Sequence, residues 1–243
     1  MIEITIPILN EEKTLDKQVR KAYIYIKQNL NDFGIIHIML VDNGSTDNTQ
    51  EIARLLCLEL PGVYYLRLEE KGVGRALKYS WGQSKADIIG YMDLDLATDL
   101  CYLRSALEGL TVDQVDIVNG SRLAKGARVI GRSFIRNVTS RIFNFIVKMV
   151  FNTSFSDGMC GFKFLKRSCL ENLLEAGAKS DGWFFASEIL ITGEYLGYRV
   201  SEIPIQWTDD PDSKVKIGKL GIEYIKAMRV LHSRLPKRVH MSL

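Results

Sequence analysis

Five short apolar runs recur in the first 120 residues, at 2–9, 35–41, 62–68, 86–93 and 115–119, and helix-like stretches separate the first four. Runs of this length and β-branched content read as strands covered on both faces. Between the first two, residues 11–30 set Leu15, Val19, Ala22, Tyr23 and Ile26 on one helical face. After the second, the turn Gly44-Ser45-Thr46-Asp47 supplies a helix N-cap, and Ile52, Leu55 and Leu56 continue the helix. Residues 72–84 read as a third helix. Strand–helix alternation joins strands by crossovers, so the expected fold is α/β, a mostly parallel central sheet flanked by helices.

The second half is patterned differently. Residues 122–132 are polar, carry Gly126 and Gly131, and read as a mobile loop. A long helix rich in Phe and Ile is expected over 133–151, a short glycine-bounded strand or turn over 158–165, and a helix over 184–196. A strand follows over 198–207, ending at Pro204, and an amphipathic helix closes the chain over 218–235. With 243 residues, no internal repeat and no low-complexity linker, one domain is the simplest organisation.

Bulk chemistry excludes several classes. A net charge of +3 does not mark a nucleic-acid binder. The charge is uneven, however: residues 214–243 hold eight Lys/Arg against one acid, Glu223. Cys57, Cys101, Cys160 and Cys169 form no Cys-x-x-Cys pair, which argues against zinc and for reduced thiols in a cytoplasmic setting. The apolar run 2–9 is too short for a signal peptide and Glu3 interrupts it. No run reaches the ~18 apolar residues of a membrane span.

The chemistry gathers where strands end. Asp93-Leu94-Asp95 closes the fourth strand with two carboxylates among aliphatics, where burying an unpaired charge costs several kcal/mol or more. Pro7 to Glu11 closes the first strand, Val41-Asp42-Asn43 the second, and Lys71-Gly72-Val73-Gly74 opens the third helix. Parallel strands bring these ends to one edge, where ligands of open α/β sheets bind. Glu11, Asp42, Lys71, Asp93 and Asp95 should therefore converge, with helix N-termini, on a nucleotide bearing phosphates and a divalent metal.

Pro-x-x-Asn-Glu, Asp-Asn-Gly-Ser-Thr-Asp-Asn-Thr, Lys-Gly-x-Gly-x-Ala and Asp-x-Asp in this order resemble the family 2 glycosyltransferases. Gly120-Ser121-Arg122, the block Asp157 to Lys163, and Glu202-Ile203-Pro204-Ile205 followed by Ser213-Lys214 resemble the polyprenyl and dolichyl-phosphate sugar synthases. The resemblance implies a single-domain GT-A fold over 1–212, with a nucleotide-binding half at 1–120 and an acceptor half at 121–212. Residues 213–243 would add a basic amphipathic helix able to touch a membrane. It also implies roles. Pro7, Leu9, Glu11, Val41, Asp42, Asn43, Lys71, Asp93, Leu94 and Asp95 would bind the nucleotide sugar. Asp95, with Asp93, would hold Mg²⁺ or Mn²⁺. Arg122, Arg136, Ser140 and Lys214 would face the acceptor phosphate. The chain departs from the pattern at Asn43, at Ala97, and at Asp209 to Asp212, where an arginine is usual.

The implied reaction is inverting sugar transfer to a polyprenyl phosphate. A phosphate monoester, with a second pKa near ~6, is already largely a dianion and needs cations rather than a base. Arg122, Arg132, Arg136 and Lys214 are such cations. A sugar-hydroxyl acceptor would instead need a general base, for which Asp157 and Glu188 are the candidates. A non-catalytic nucleotide-sugar-binding module is a further alternative. The helix 133–151, with Arg132, Arg136, Arg141 and Lys148 among its apolar residues, reads as interfacial, placing the protein at the cytoplasmic face of a membrane. A core helix or a homodimer face is the other reading of the same helix.

Overall fold

The computed structural model describes residues 1–209 and 217–235, without the side chains of 217–220. Its strands are β1 (Ile2–Ile8), β2 (Ile36–Asp42), β3 (Val63–Arg67), β4 (Ile88–Met92), β5 (Ile117–Ser121), β6 (Arg128–Ile130), β7 (Phe162–Lys166), β8 (Val200–Pro204) and β9 (Gln206–Thr208). Its helices are α1 (Leu15–Asn29), α2 (Thr49–Glu59), α3 (Val73–Gln83), α4 (Tyr102–Thr111), α5 (Phe134–Phe151), α6 (Leu170–Ala176), α7 (Phe185–Tyr195) and α8 (Ile217–Arg234).

Seven strands form one sheet in the order β3-β2-β1-β4-β7-β5-β8. All pairings in it are parallel except those of β7, which runs antiparallel between β4 and β5. That reversal matters for function. It brings the start of β7 to the edge where the parallel strands finish, and Phe162 pairs with Met92 at the end of β4. The segment before β7 therefore abuts Asp93.

The sheet is covered on both faces, as its apolar strands require. Ile2, Ile4, Ile6 and Ile8 alternate onto one face, in a cluster with Leu15 and Val19 of α1, Leu56 of α2 and Leu107 of α4. The opposite face carries Leu77 and Trp81 of α3, Phe185 and Ile189 of α7, and Tyr224, Met228 and Leu231 of α8. There β1 presents Glu3 and Thr5, whose burial is compensated by hydrogen bonds from Ser80 Oγ (2.7 Å) and Trp81 Nε1 (3.1 Å).

Four elements differ from the pattern-based expectation. The loop 122–132 contains β6, which pairs in parallel with β9. The expected strand 198–207 divides at Ile205, whose N–H donates to Ser121 and whose carbonyl accepts from Arg128, so the chain leaves one sheet and enters the other. Pro204, with no N–H, stands at that break. Sequence reasoning also missed α4 and the short α6, although Leu103, Ala106, Leu107 and Leu110 recur at helical spacing.

The long helix α5 is where it was expected. Ser133 caps it, accepting from the Arg136 N–H, and Asn152 ends it in a left-handed conformation. Its burial is inverted. The residues it buries are Ser140, Asn144 and Val147, while Phe134 (81% exposed), Phe145 (64%) and Met149 (71%) point outward.

Candidate active site

A cavity of about 380 Å³ opens at the carboxyl edge of the sheet. One wall is acidic, formed by Pro7, Glu11, Asp93, Leu94 and Asp95. β4 runs out at Met92, and the Asp93 N–H donates to the Gly161 carbonyl at 3.1 Å. Asp95 Oδ1 accepts from the Ala97 N–H at 3.0 Å, which turns the chain back. Leu94 is buried between the two acids and anchors them. Burial, and next the charge of Asp95, push the Asp93 carboxyl up to about 7. Gly161 makes room for that carboxyl: a Cβ there would lie 1.8 Å from Asp93 Oδ2.

Among the described residues, no three His, Cys, Asp or Glu side chains gather as a metal-ligand set. The donors are instead an oxygen-only pair, Asp93 and Asp95, on the acidic wall. That fits a divalent cation completing its shell with substrate phosphate oxygens, as Mg²⁺ commonly does.

The loops after β1 and β2 are stitched together beside this wall. Asn10 N–H donates to Ser45 Oγ (2.9 Å), Glu11 N–H to Thr49 Oγ1 (2.7 Å), and Thr46 N–H to Asn10 Oδ1 (2.8 Å). Asp42 belongs to this scaffold. Fully buried, it accepts from Ser45 N–H (2.8 Å), Tyr65 Oη (2.8 Å) and Arg67 Nη1 (3.2 Å), so the carboxylate expected at the nucleotide instead holds the turn. Val41 is buried in β2, and Leu9 is partly exposed outside the cavity lining. Asn43 is 3% exposed and its Oδ1 has no hydrogen-bond partner among the described residues.

Lys71 and the N-terminus of α3 do not join the site. Lys71 is exposed and absent from the cavity lining. Residues 180–182 cover the helix start, where the Arg75 N–H donates to the Asp181 carbonyl. A Cβ on Gly72 would lie 2.4 Å from the Asp181 oxygen, and one on Gly74 2.3 Å from that of Ser180. These glycines serve close packing of backbone on backbone, not a phosphate cradle. Glu188 braces the covering segment. It accepts from Ser180 N–H (2.7 Å) and Oγ (2.6 Å) and does not line the cavity.

The other wall is basic, with Arg122, Arg132 and Arg136 beside Thr139, Ser140 and Trp207. Arg122 is clasped by buried Asp157 through Nε (2.7 Å), Nη2 (2.9 Å) and its own N–H (3.1 Å). Burial alone would raise the Asp157 carboxyl, but Arg122 more than offsets this and holds it at about 2. Such a carboxylate is a poor general base. Arg136 Nη1 contacts both Asp209 oxygens at 3.0 Å. Ser140 lines the cavity as expected. Lys214 lies outside the described residues.

Asp157 sits in a segment pinned by three residues. Glu202 accepts from Ser156 and Asp157 N–H, Asn144 Oδ1 from Gly158 N–H, and the Gly158 carbonyl from Ser187 Oγ. The Cys160 carbonyl accepts from Lys163 Nζ (2.5 Å) and Tyr91 Oη (3.3 Å). Burial pulls the Lys163 ammonium down to about 8, with neighbouring acids opposing it. The two walls are also tied through β9, where the Thr208 N–H donates to the Ala97 carbonyl (2.9 Å). Met159, Trp183, Trp207, Asp209 and Tyr224 line the cavity although no motif marked their roles.

Known proteins resemble this chain in sequence and in fold. The chain is 29% identical over 217 residues to the glycosyltransferase AglD of Haloferax volcanii, covering 89% of this chain and only 34% of that protein. It is 26% identical over 232 residues to a dolichyl-phosphate beta-glucosyltransferase of Trichomonas vaginalis, covering 91% and 68%. The fold superposes on glucosyl-3-phosphoglycerate synthase of Mycobacterium tuberculosis, solved with Mn²⁺, UDP and phosphoglyceric acid. The TM-score there is 0.70 at 18% identity, covering 98% of this chain and 80% of that one. This likeness shows the GT-A fold. Residues 3–174 match the glycosyl transferase family 2 description, and the chain belongs to that family.

Proposed function

We propose that this protein transfers a sugar, with inversion, from a nucleotide-diphosphate sugar to the phosphate of a polyprenyl lipid. The observation that carries the reading is the division of one cavity into an acidic wall and a basic wall. Asp95 and Asp93 anchor a divalent cation, Mg²⁺ or Mn²⁺, against the donor diphosphate. When bound, such an ion stabilises the leaving group as a Lewis acid. Pro7, Glu11 and Leu94 flank the nucleoside, and the unpartnered Asn43 oxygen offers an acceptor to its base. Arg122 and Ser140 stand on the acceptor side.

The state of the two base candidates favours a phosphate acceptor. Asp157 is held ionised by Arg122 and Glu188 is engaged with Ser180, so neither is placed to deprotonate a hydroxyl. A phosphate monoester needs no such step. In-line attack on an α-linked donor gives a β-linked lipid-phospho-sugar. The Trichomonas relative, a dolichyl-phosphate glucosyltransferase, supports this acceptor class.

The inverted burial of α5 supports a lipid surface beside the cavity. Its Phe134, Ile135, Ile142, Phe145 and Met149 are exposed, as are Ile222 and Ile225 of α8, and Ile146 and Val150 of α5 share a groove with Ile225. No helix among the described residues is long and apolar enough to cross a membrane. The protein would bind peripherally at the cytoplasmic face, with cations near anionic headgroups. The test incubates the protein and Mn²⁺ with UDP-glucose or GDP-mannose and undecaprenyl or dolichyl phosphate in detergent. Label is expected in the lipid-phosphate fraction. Label found only in alkali-resistant oligosaccharide would refute the acceptor.

A further inference from the structure

Two of the three arginines on the basic wall face acids. Arg122 is clasped by Asp157, and Arg136 meets Asp209. Arg132 has no such acid among the described residues. Its Nη2 donates to Ser140 Oγ at 2.8 Å, while its Nε and Nη1 are buried with no hydrogen-bond partner there. Its guanidinium carbon lies 5.5 Å from the centre of the Trp207 ring, and that of Arg122 lies 5.3 Å from the same ring. Burial, and then the charge of Arg122, pull the Arg132 guanidinium down to about 10.

Buried donors without partners are destabilising, and buried cations without anions more so. The arrangement is otherwise well built: the ring supports the guanidinium plane and Ser140 fixes its rotation. Among the described residues no carboxylate hydrogen-bonds to it, and Asp157 and Asp209 act on it only at longer range.

We infer that Arg132 is the residue that reads the acceptor anion, a phosphate monoester that enters the cavity beside Ser140 and takes its Nε–H and Nη1–H donors. The inference rests on the lipid-phosphate acceptor proposed above and assigns its recognition to a residue outside the motifs. A phosphate supplies the counter-charge directly. A neutral hydroxyl can accept a hydrogen bond from these donors but brings no counter-charge, so the residue would also discriminate between acceptor classes.

The test uses the whole chain with Arg132→Met and Arg132→Lys, and farnesyl phosphate, inorganic phosphate and UDP with Mn²⁺ as probes in calorimetry. Arg132→Met should weaken farnesyl phosphate by about tenfold or more while UDP stays within about twofold. Its melting temperature should hold or rise, because removing an unpaired buried charge relieves the fold. Arg132→Lys, which keeps charge but not the planar fork, should recover part of the affinity. Unchanged farnesyl phosphate binding, or a loss confined to UDP, would overturn the inference. So would a fall in melting temperature with both ligands lost, which would make Arg132 a structural strut. A wild-type protein that makes no lipid-linked product, while Arg132→Met still loses inorganic phosphate, would refute the proposed acceptor and leave this anion site standing.

Discussion

Gly161→Ala is a single-methyl change aimed at the carboxylates proposed to hold the metal. The added Cβ would sit 1.8 Å from Asp93 Oδ2, 2.3 Å from Cγ and 2.6 Å from Oδ1. Ordinary contact begins near ~3.5 Å, so the carboxyl must retreat by roughly 1.5 Å. The backbone cannot share that shift easily. Gly161 carbonyl accepts the Asp93 N–H, and the neighbouring Cys160 carbonyl is held by Lys163 and Tyr91. Overpacking of this kind costs about 1–3 kcal/mol of stability. A misplacement of ~1 Å in a reacting constellation costs about 100-fold in rate. The assay pairs sugar transfer with Mn²⁺-dependent UDP binding and urea unfolding. Turnover should fall by about two orders of magnitude while most of the stability survives. Gly82→Ala is the control, since a Cβ there meets nothing within 4 Å and alanine favours the helix. A Gly161→Ala protein with wild-type turnover and Mn²⁺ dependence would refute the placement of Asp93 in the chemistry.

Asp95→Asn should abolish metal-dependent turnover and weaken UDP–Mn²⁺ binding, and unchanged turnover would remove its metal role. The Asp157 carboxyl, held at about 2 against an ordinary ~3.9, contributes stability on the order of 2 kcal/mol, fully present above pH ~4 and lost as pH falls toward ~2. Asp157→Asn should cost about 3–5 kcal/mol at neutral pH in urea unfolding, because Arg122 is left buried without its counter-charge, and its acid transition should flatten. An acid transition identical to wild type would contradict that pairing. Ile142→Glu with Phe145→Glu should prevent flotation with anionic vesicles while leaving UDP binding intact. Equal flotation of the double variant would refute α5 as the membrane face.

The chain order of its apolar runs determines much of this protein without any coordinates. Period and length identify six of the seven strands of the main sheet, with β7 open as a strand or a turn, which is enough to imply a mostly parallel sheet, and parallel strands bring Glu11 and the Asp93–Asp95 pair to one edge. The long α5 was legible too, from a stretch rich in Phe and Ile, while its Ser133 cap emerged only in the structure. Direction and occlusion were not. An apolar strand reads the same whichever way it runs, so only tertiary pairing reveals that β7 is antiparallel and delivers Gly161 and Asp157 to the site. A glycine permits both a phosphate cradle and a close backbone contact, and only the packing of residues 180–182 on α3 decides for the latter. A carboxylate at a strand end looks alike in sequence whether it faces a ligand or a turn. Asp42 and Asp157 differ from Asp93 in having their oxygens taken by neighbours far away in the chain, Arg67 and Tyr65 for one and Arg122 for the other. The same holds for Arg132: its two buried donors, without a partner among the described residues, become visible only when Trp207 and Ser140 fold around it.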